Sequence, residues 1–488
     1  MSKNQHQLND DETCYKLKKY MDELAHRGYF NGAVLVAQNG RILLSEGYGR
    51  ASLEYDVPNS PTTKFRIGSL TKAFTAMAIL QLQEQGKLNV HDSIDKYLEG
   101  YPNGHFISLH HLLSNSSGIP DYPGFPRYWE QTQRMYSTLA ETIQTIKDKP
   151  LEYMPGEEHS YSNSSYILLS AIIEKISGIS YGEYIKENIF WPLHLENTGV
   201  EDCRTIVKNL ASGYSVCKEK IHAEYVDMTL HLGAGAMYST VEDLYLWDRA
   251  LYSDTLVSKN SLKILFDQYT TYCGSYGWVI DAHIIHNQPK KRIGHFGSMN
   301  GFWSDFNRYV NDDLVIIVLS NFELTPVQQI SQILAEIAFG GEVQEQKITP
   351  PIQINESIMK QLEGIYEYGA ILEQCAKRNL KEALIGLIQM DVPQITTGQF
   401  YKVFQENEIH PSSTIIVTYE NCRLYLFMQK NHGAWFKYEI YPVSDQENSI
   451  TCVAKDIDEK VIFTIKPDGG IQMDHFDVYG TEITGYKI

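Results

Sequence analysis

The stretch on which the fold depends is FRIGSLTKAFTAMAIL, residues 65–80. It begins like a short strand, turns at Gly68 and continues as a helix that Gly86 ends. Apolar side chains fall on nearly every face of this helix, which predicts that the helix is buried. We therefore expect the rest of the first domain to pack around it.

Ser69 and Lys72 are the chemically informative residues of this stretch. They stand three positions apart, so one helical turn brings their side chains to one face at the N-terminal end of the helix. The free N–H groups and the dipole at that end favour the negative charge of an alkoxide or an oxyanion. Burial lowers the pKa of a lysine, which suits a base near neutral pH. The pair therefore predicts a nucleophilic serine with a lysine base.

The Ser-x-x-Lys pattern alone is weak evidence, because it also occurs at Ser93–Lys96, Ser215–Lys218 and Ser357–Lys360. An isolated match is usually a surface lysine near an ordinary serine. Two further motifs are Tyr161-Ser162-Asn163 and His295-Phe296-Gly297-Ser298. A lone buried Tyr or His is usually a satisfied core residue. The combination of the three motifs, in this order, is what predicts a site.

Composition limits the classes of function. With 488 residues, 43% of them hydrophobic, the chain can build more than one core, and we expect two domains. A net charge of −18 without a Lys/Arg block argues against binding to nucleic acid. The first dozen residues lack a signal-peptide pattern, and no apolar run approaches the roughly 18 residues of a membrane span. We expect a soluble, cytoplasmic protein.

Cysteine usage argues against a disulfide framework and against a zinc site. The seven cysteines are scattered, their number is odd, and no Cys-x-x-Cys pair occurs. We expect neither a metal nor another cofactor.

Strand patterns lie at both ends of the first 341 residues. Residues 33–37 and 41–45 are apolar runs that flank Asn39-Gly40, which is a strong signal for a β-hairpin. Three later segments read as successive strands: 295–298, 302–309 and 314–320. Between the two groups, helical spacing dominates, for example at 139–147 and 167–177. We therefore predict an α+β fold with an antiparallel sheet flanked by helices and a helical lobe over the sheet, leaving a cleft.

Together these motifs resemble those of the serine β-lactamase and penicillin-binding protein superfamily, most closely its class C-like branch of β-lactamase-related serine hydrolases. Ser69–Lys72 matches the Ser-x-x-Lys motif, Tyr161-Ser162-Asn163 matches Tyr-x-Asn, and His295-Phe296-Gly297 stands where the family has Lys-Thr-Gly. Flanking segments agree, and the resemblance runs from about residue 15 to 341. It implies a β-lactamase/transpeptidase-like fold.

The resemblance also implies a role for each site residue. Ser69 would be the nucleophile that forms an acyl-enzyme, and Lys72 and Tyr161 would share the role of base, the first acceptor of the proton being left open. The backbone N–H groups of Ser69 and Ser298 would form the oxyanion hole. The residues implied to contact the substrate are Asn163, His295, Gly297 and Ser298.

Beyond residue 341 the pattern changes. Residues 342–356 are polar and contain Pro350-Pro351, which indicates a linker between a domain at 1–341 and a second domain at 357–488. Short strands separated by turns predict a small antiparallel β-barrel there, similar to the lipocalin-like domains that accompany this branch of the family. A helix-like stretch near 371–389 interrupts the strands and is interpreted as an insertion.

The first functional hypothesis is a serine hydrolase that cleaves a small amide, a D-amino-acid peptide or an ester. A carboxylesterase on the same scaffold is a second possibility. A penicillin-binding acyl acceptor or scaffold protein with negligible turnover is a third, of a different class. The presence of Ser69, Lys72, Tyr161 and Asn163 together favours the enzymes, because a scaffold has no need of this set.

Overall fold

The computed structural model describes residues 3–129, 131–270, 274–342, 350–368, 414–429, 435–446, 448–477 and 482–487. Its α-helices are α1 (Lys3–His26), α2 (Thr71–Glu84), α3 (Leu109–Leu113), α4 (Leu139–Lys147), α5 (Asn163–Ser177), α6 (Tyr181–Ile185), α7 (Leu232–Gly235), α8 (Val241–Ala250), α9 (Lys259–Leu265), α10 (Val327–Ala338) and α11 (Glu356–Leu362). No helix within the described ranges has both the length and the apolar character needed to cross a bilayer.

The strands fall into two main groups. Those of the first part of the chain are β1 (Gly32–Gln38), β2 (Arg41–Tyr48), β3 (Arg50–Ser52), β4 (Val57–Pro58), β5 (Phe65–Arg66), β6 (Gly199–Val200), β7 (Tyr214–Cys217), β8 (Glu219–His222), β9 (Met237–Ser239), β10 (Val279–Ile285), β11 (Gln288–Met299), β12 (Phe302–Tyr309) and β13 (Leu314–Ser320). Those of the last part are β14 (Gly364–Tyr368), β15 (Thr414–Glu420), β16 (Arg423–Gln429), β17 (Trp435–Gln446), β18 (Ser449–Ala454), β19 (Lys460–Ile465), β20 (Ile471–Phe476) and β21 (Glu482–Lys487).

The central sheet has six antiparallel strands in the order β10-β11-β12-β13-β1-β2. The N-terminal hairpin therefore pairs with the late meander, with Val34 opposite Val318, as the sequence predicted. The edge strand β10 was not predicted. Three of its five inner residues, Asp281, Ala282 and Ile284, are exposed, so the strand lacks the regular alternation of buried apolar and exposed polar residues that reveals a half-buried strand.

The two faces of the sheet carry separate cores. Alternate side chains of a strand point to opposite faces, and β1 follows this rule. Ala33 and Leu35 pack with the helical lobe, whereas Val34 and Val36 pack with the layer that contains α1 and α10. The predicted antiparallel sheet with helices on it is confirmed.

Helix α2 lies in the middle of the helical lobe. Twelve of its fourteen residues are buried, so the sequence prediction of a helix that is apolar on nearly every face is confirmed. The ring of Phe74 stacks on Trp247 with 4.2 Å between the ring centroids. Gly86, just beyond the helix, adopts a left-handed φ of +68°, the conformation that ends a helix.

The last part of the chain forms a closed barrel. Strands β14 to β21 pair in the order β16-β15-β14-β21-β20-β19-β18-β17, and pairing of β16 with β17 closes the ring. This confirms the predicted small antiparallel barrel. The predicted helical insertion near 371–389 lies outside the described residues, and the domain limits at 341 and 357 remain predictions.

The barrel is joined to the first part of the chain by a shared sheet. The hairpin β7–β8 continues the barrel sheet, because Cys217 pairs in parallel with Lys437 of β17. Tyr214 and Val216 belong to the same buried cluster as barrel residues such as Tyr438. No local pattern predicted this contact, which links residues more than two hundred positions apart.

Candidate active site

Ser69 lies in a single turn of 3-10 helix, Gly68–Leu70, that leads directly into α2. Gly68 has a left-handed φ of +50°, and a Cβ atom on it would lie 2.6 Å from the carbonyl oxygen and 2.7 Å from the amide nitrogen of Ser298. Only glycine fits such a contact. The absence of a side chain at residue 68 therefore lets strand β11 pass directly beside Ser69.

The amine of Lys72 points at Ser69 from inside the protein. Its side chain is completely buried. The Nζ atom lies 3.1 Å from Ser69 Oγ, 2.7 Å from Asn163 Oδ1 and 2.7 Å from the carbonyl oxygen of Ala234. An ammonium donates to all three, and a neutral amine donates to two and accepts the proton of Ser69. The contacts fit both protonation states of Lys72.

Tyr161 is the second group beside Ser69 that can take part in proton transfer. Its hydroxyl lies 2.6 Å from Ser69 Oγ, and its ring lies 4.7 Å from Lys72 Nζ. The neighbouring Ser162 caps α5 through the Ser165 amide and donates to the carbonyl oxygen of Ile119. Ser69 Oγ thus lies between two groups that can exchange a proton with it.

Asn163 is the first residue of α5, and Asp121 holds it. One carboxylate oxygen of Asp121 accepts from the Asn163 backbone amide at 2.7 Å, and the other accepts from Asn163 Nδ2 at 3.0 Å. Burial raises the pKa of Asp121 to about 6, against the opposing effects of these hydrogen bonds and of the Lys72 charge. Sequence reasoning missed Asp121. The available signal was a lone carboxylate after Gly118-Ile119-Pro120.

His295 lies on β11 beside Tyr161, with 6.1 Å between the ring centroids. Its Nδ1 atom contacts the carbonyl oxygen of Phe296. Burial is the main cause that lowers the pKa of His295 to about 4, and the charge of Lys72 adds to it. The imidazole is therefore neutral at pH 7.

Gly297 lets the same strand approach the start of α2. A Cβ atom there would lie 2.1 Å from the Ile67 carbonyl oxygen and 2.9 Å from the Ser69 amide nitrogen. The Ser304 hydroxyl on β12 donates to the Ile67 carbonyl at 2.8 Å and fixes this contact. Together with the contact of Gly68 on Ser298, these distances place the backbone segments that carry the Ser69 and Ser298 amides in direct contact.

The other three Ser-x-x-Lys matches have different surroundings. Their lysines pair with carboxylates: Lys96 with Asp92, Lys218 with Glu420, and Lys360 with Glu356. The predicted site residues, by contrast, lie together at one place in the structure: Ser69, Lys72, Tyr161, Asn163, His295, Gly297 and Ser298. Within the described part of the chain, no group of three or more His, Cys, Asp or Glu side chains is placed to hold a metal ion.

The chain is similar in sequence to a known protein family and to several characterised proteins. The family model described as Beta-lactamase matches residues 17–337. Penicillin-binding protein 4* of Bacillus subtilis is 31% identical over 332 residues, which cover 63% of this chain and 71% of that protein. The teichoic acid D-alanine hydrolase of Staphylococcus aureus is 28% identical over 324 residues, 65% of this chain and 77% of that protein.

One solved structure matches nearly the whole chain. It is the octameric penicillin-binding protein homologue from Pyrococcus abyssi, with a TM-score of 0.59 and 23% identity. The match covers 97% of this chain and 99% of that one. At this identity the likeness shows a common fold, and it extends over both parts of the chain.

Proposed function

The chain belongs to the beta-lactamase family, and from this premise we propose that it cleaves a small amide, a D-amino-acid peptide or an ester through an acyl-enzyme on Ser69. One observation carries the proposal. Ser69 Oγ lies within hydrogen-bond distance of both Lys72 Nζ and the Tyr161 hydroxyl, at 3.1 and 2.6 Å. This is the arrangement that an activated serine nucleophile requires.

The proposed reaction has two halves. In the first, Ser69 loses its proton to the Lys72–Tyr161 pair, its oxygen bonds to the acyl carbon, and the C–N or C–O bond of the substrate breaks as the leaving group takes the proton. In the second, water gives a proton to the same pair and bonds to the acyl carbon, the bond from that carbon to Ser69 Oγ breaks, Ser69 takes the proton back, and the acid leaves. The backbone amides of Ser69 and Ser298 stabilise the oxyanion in both halves, and each such donor is typically worth about 2.7–4 kcal/mol.

The edge of the site formed by His295 and Phe296 is uncharged at pH 7. This supports a neutral or amine-bearing acyl group over one that carries a carboxylate at this edge, because a buried carboxylate without a partner carries a desolvation cost. The similarity to the teichoic acid D-alanine hydrolase of Staphylococcus aureus supports a D-amino-acyl substrate. A simple carboxylesterase is the second candidate, since the same neutral edge accepts an uncharged ester.

The decisive test is to find which serine becomes acylated. The intact protein is treated with a fluorophosphonate, and with a penicillin, and its mass is measured. Ser69→Ala should abolish the mass increase, whereas Ser93→Ala, Ser215→Ala and Ser357→Ala should keep it. A peptide map with the added group on another serine would refute the assignment.

A substrate panel then separates the candidates. D- and L-amino-acid amides, a short D-peptide and a short-chain p-nitrophenyl ester are compared by kcat/KM. A preference for the D-amides supports the first candidate, and ester cleavage alone supports the second.

We also propose a cytoplasmic location, and fractionation of cells that express the natural chain tests it.

A further inference from the structure

The loop that carries Asp121 is fixed on both sides. The carbonyl oxygen of Pro120 accepts from the Ser164 hydroxyl at 2.7 Å, and the backbone amide of Tyr122 donates to the same hydroxyl at 3.0 Å. Ser164 follows Asn163 in α5. The Ser164 hydroxyl in α5 therefore fixes the residues on both sides of Asp121. Asp121 itself contacts Asn163, the first residue of the same helix.

In the contact between Asp121 and Asn163, Asn163 donates both hydrogen bonds and Asp121 accepts them. An ionised carboxylate only accepts hydrogen bonds, whereas an amide side chain has one accepting oxygen and one donating NH₂ group. Because Asp121 accepts from Asn163 Nδ2, the Oδ1 atom of Asn163 must point the other way. That is where Lys72 Nζ lies, at 2.7 Å.

We propose that Asp121 is a positioning residue that keeps the Asn163 amide oriented with its oxygen toward Lys72. The inference rests on the proposed function, in which Lys72 exchanges a proton with Ser69. If Asn163 turned over, its NH₂ group would face the amine of Lys72, and Lys72 would lose the Asn163 oxygen as an acceptor. Asp121 then acts on catalysis through Asn163 and Lys72 without touching the substrate.

The proposal includes a pH dependence. The titratable groups that interact electrostatically with the Asp121 carboxylate are Lys72, Tyr122 and Tyr128. Once protonated, the carboxyl carries an O–H group that can donate to the Asn163 oxygen, so it no longer fixes the amide in one orientation. Since its pKa is raised to about 6, it becomes protonated as the pH falls through about 6, and activity should fall with it. His295, whose pKa is about 4, titrates too low to explain a loss in this range.

An exchange of the two side chains provides the test. Asp121→Asn should lower kcat/KM at least about tenfold, mainly through kcat, because two amides in contact leave the orientation of Asn163 undetermined. Asn163→Asp should lower it similarly, because it sets two carboxylates against each other. The double variant Asp121→Asn/Asn163→Asp restores one amide and one carboxylate. It should be about tenfold more active than the product of the two single losses predicts, yet less active than the wild type because the carboxylate at 163 also faces Lys72, and this excess is the coupling that a double-mutant cycle measures.

A matched control comes from another buried aspartate. Asp243 accepts from the Asn197 amide and the Thr198 hydroxyl at 2.8 and 2.7 Å, and burial raises its pKa as well. Asp243→Asn should leave the pH profile of kcat/KM unchanged. In Asp121→Asn, the loss of activity near pH 6 should disappear from the profile, a change that a purely structural defect would not produce.

The outcomes separate this inference from the proposed function. If the wild type is acylated at Ser69 and Asp121→Asn keeps wild-type kcat/KM, the positioning role is refuted and the hydrolase stands. If the double variant is no more active than the single variants predict additively, the positioning role is likewise refuted, whether or not Asp121→Asn folds well. A wild type that is never acylated refutes the proposed function itself.

Discussion

Gly297 and Ser69 lie so close that a Cβ atom on Gly297 would be 2.9 Å from the Ser69 amide nitrogen. The same atom would be 2.1 Å from the carbonyl oxygen of Ile67. Both contacts involve backbone atoms, which cannot rotate away as a side chain can. The geometry of the proposed oxyanion hole therefore depends on the missing side chain at residue 297.

Gly297→Ala should consequently displace β11 from the start of α2. We expect kcat/KM to fall by about 10²- to 10³-fold, the usual effect of losing one oxyanion-hole donor. Gly182→Ala is the matched control, because a Cβ atom there would make only an ordinary contact, 3.6 Å from Val200. Rates of ester hydrolysis at saturating and at limiting substrate give kcat and kcat/KM for both variants. An unimpaired Gly297→Ala enzyme would show that the strand tolerates the shift.

Tyr161→Phe should fold normally and lose acylation by about 10²- to 10⁴-fold, because it removes a positioned acid–base group from Ser69. Tyr166→Phe is the control. Tyr166 also lies near Lys72, 5.5 Å from ring to amine, but its hydroxyl donates to the Leu113 carbonyl. The rate of labelling by a fluorophosphonate gives the comparison. Near-normal labelling of Tyr161→Phe would assign the base role to Lys72 alone.

The enzyme should be a poor β-lactamase even if a penicillin acylates it. His295 is neutral at pH 7, and Phe296 has no hydrogen-bonding group in its side chain. The nearby cation Arg292 is already bound to Asp281 and Asn307. We expect kcat/KM for a penicillin to lie below the values for a short-chain p-nitrophenyl ester and a D-amino-acid amide. Faster turnover of the penicillin than of both others would contradict this prediction.

The reason for that prediction can be tested separately. His295→Lys/Phe296→Thr would place a cation and a hydroxyl at the edge of the site, where the resembling family has Lys-Thr-Gly. The double variant should raise the rate of acylation by penicillin relative to that by the neutral ester. An unchanged ratio would mean that these two residues do not limit carboxylate binding.

Stability should depend strongly on Asp248. Its carboxylate lies 2.5 Å from the Arg308 guanidinium, and both side chains are almost fully buried. Asp248→Ala leaves a buried cation without its partner, and we expect a loss of about 3–5 kcal/mol in the free energy of unfolding. Denaturation with urea measures it. Glu12→Ala breaks the exposed Glu12–Lys16 pair and should leave the unfolding midpoint unchanged.

Elements with a strong local pattern were predictable. The hairpin around Asn39-Gly40, the buried helix α2 and the late meander each follow from residue spacing within one segment. Such periodicity reflects where side chains point in a helix or strand, so the sequence contains it directly. The three motifs of the site, read in order, were sufficient to indicate which residues meet.

Elements with weak local patterns, or defined by distant contacts, were not predictable. Strand β10 lacks a regular alternation of buried apolar and exposed polar residues, and the hairpin β7–β8 joins a barrel far along the chain. Asp121 looked like an ordinary loop residue, because its importance lies in two hydrogen bonds to Asn163, 42 positions away.

By itself, therefore, the sequence determined the elements with strong periodicity, the family resemblance and the candidate reacting groups, all of which are local properties of the chain. The tertiary structure alone decided how those groups are charged and oriented. The burial of His295 keeps its ring neutral, and Asp121 directs the Asn163 oxygen toward Lys72. Protonation and orientation depend on desolvation and on partners from distant segments, and both exist only once the chain has folded.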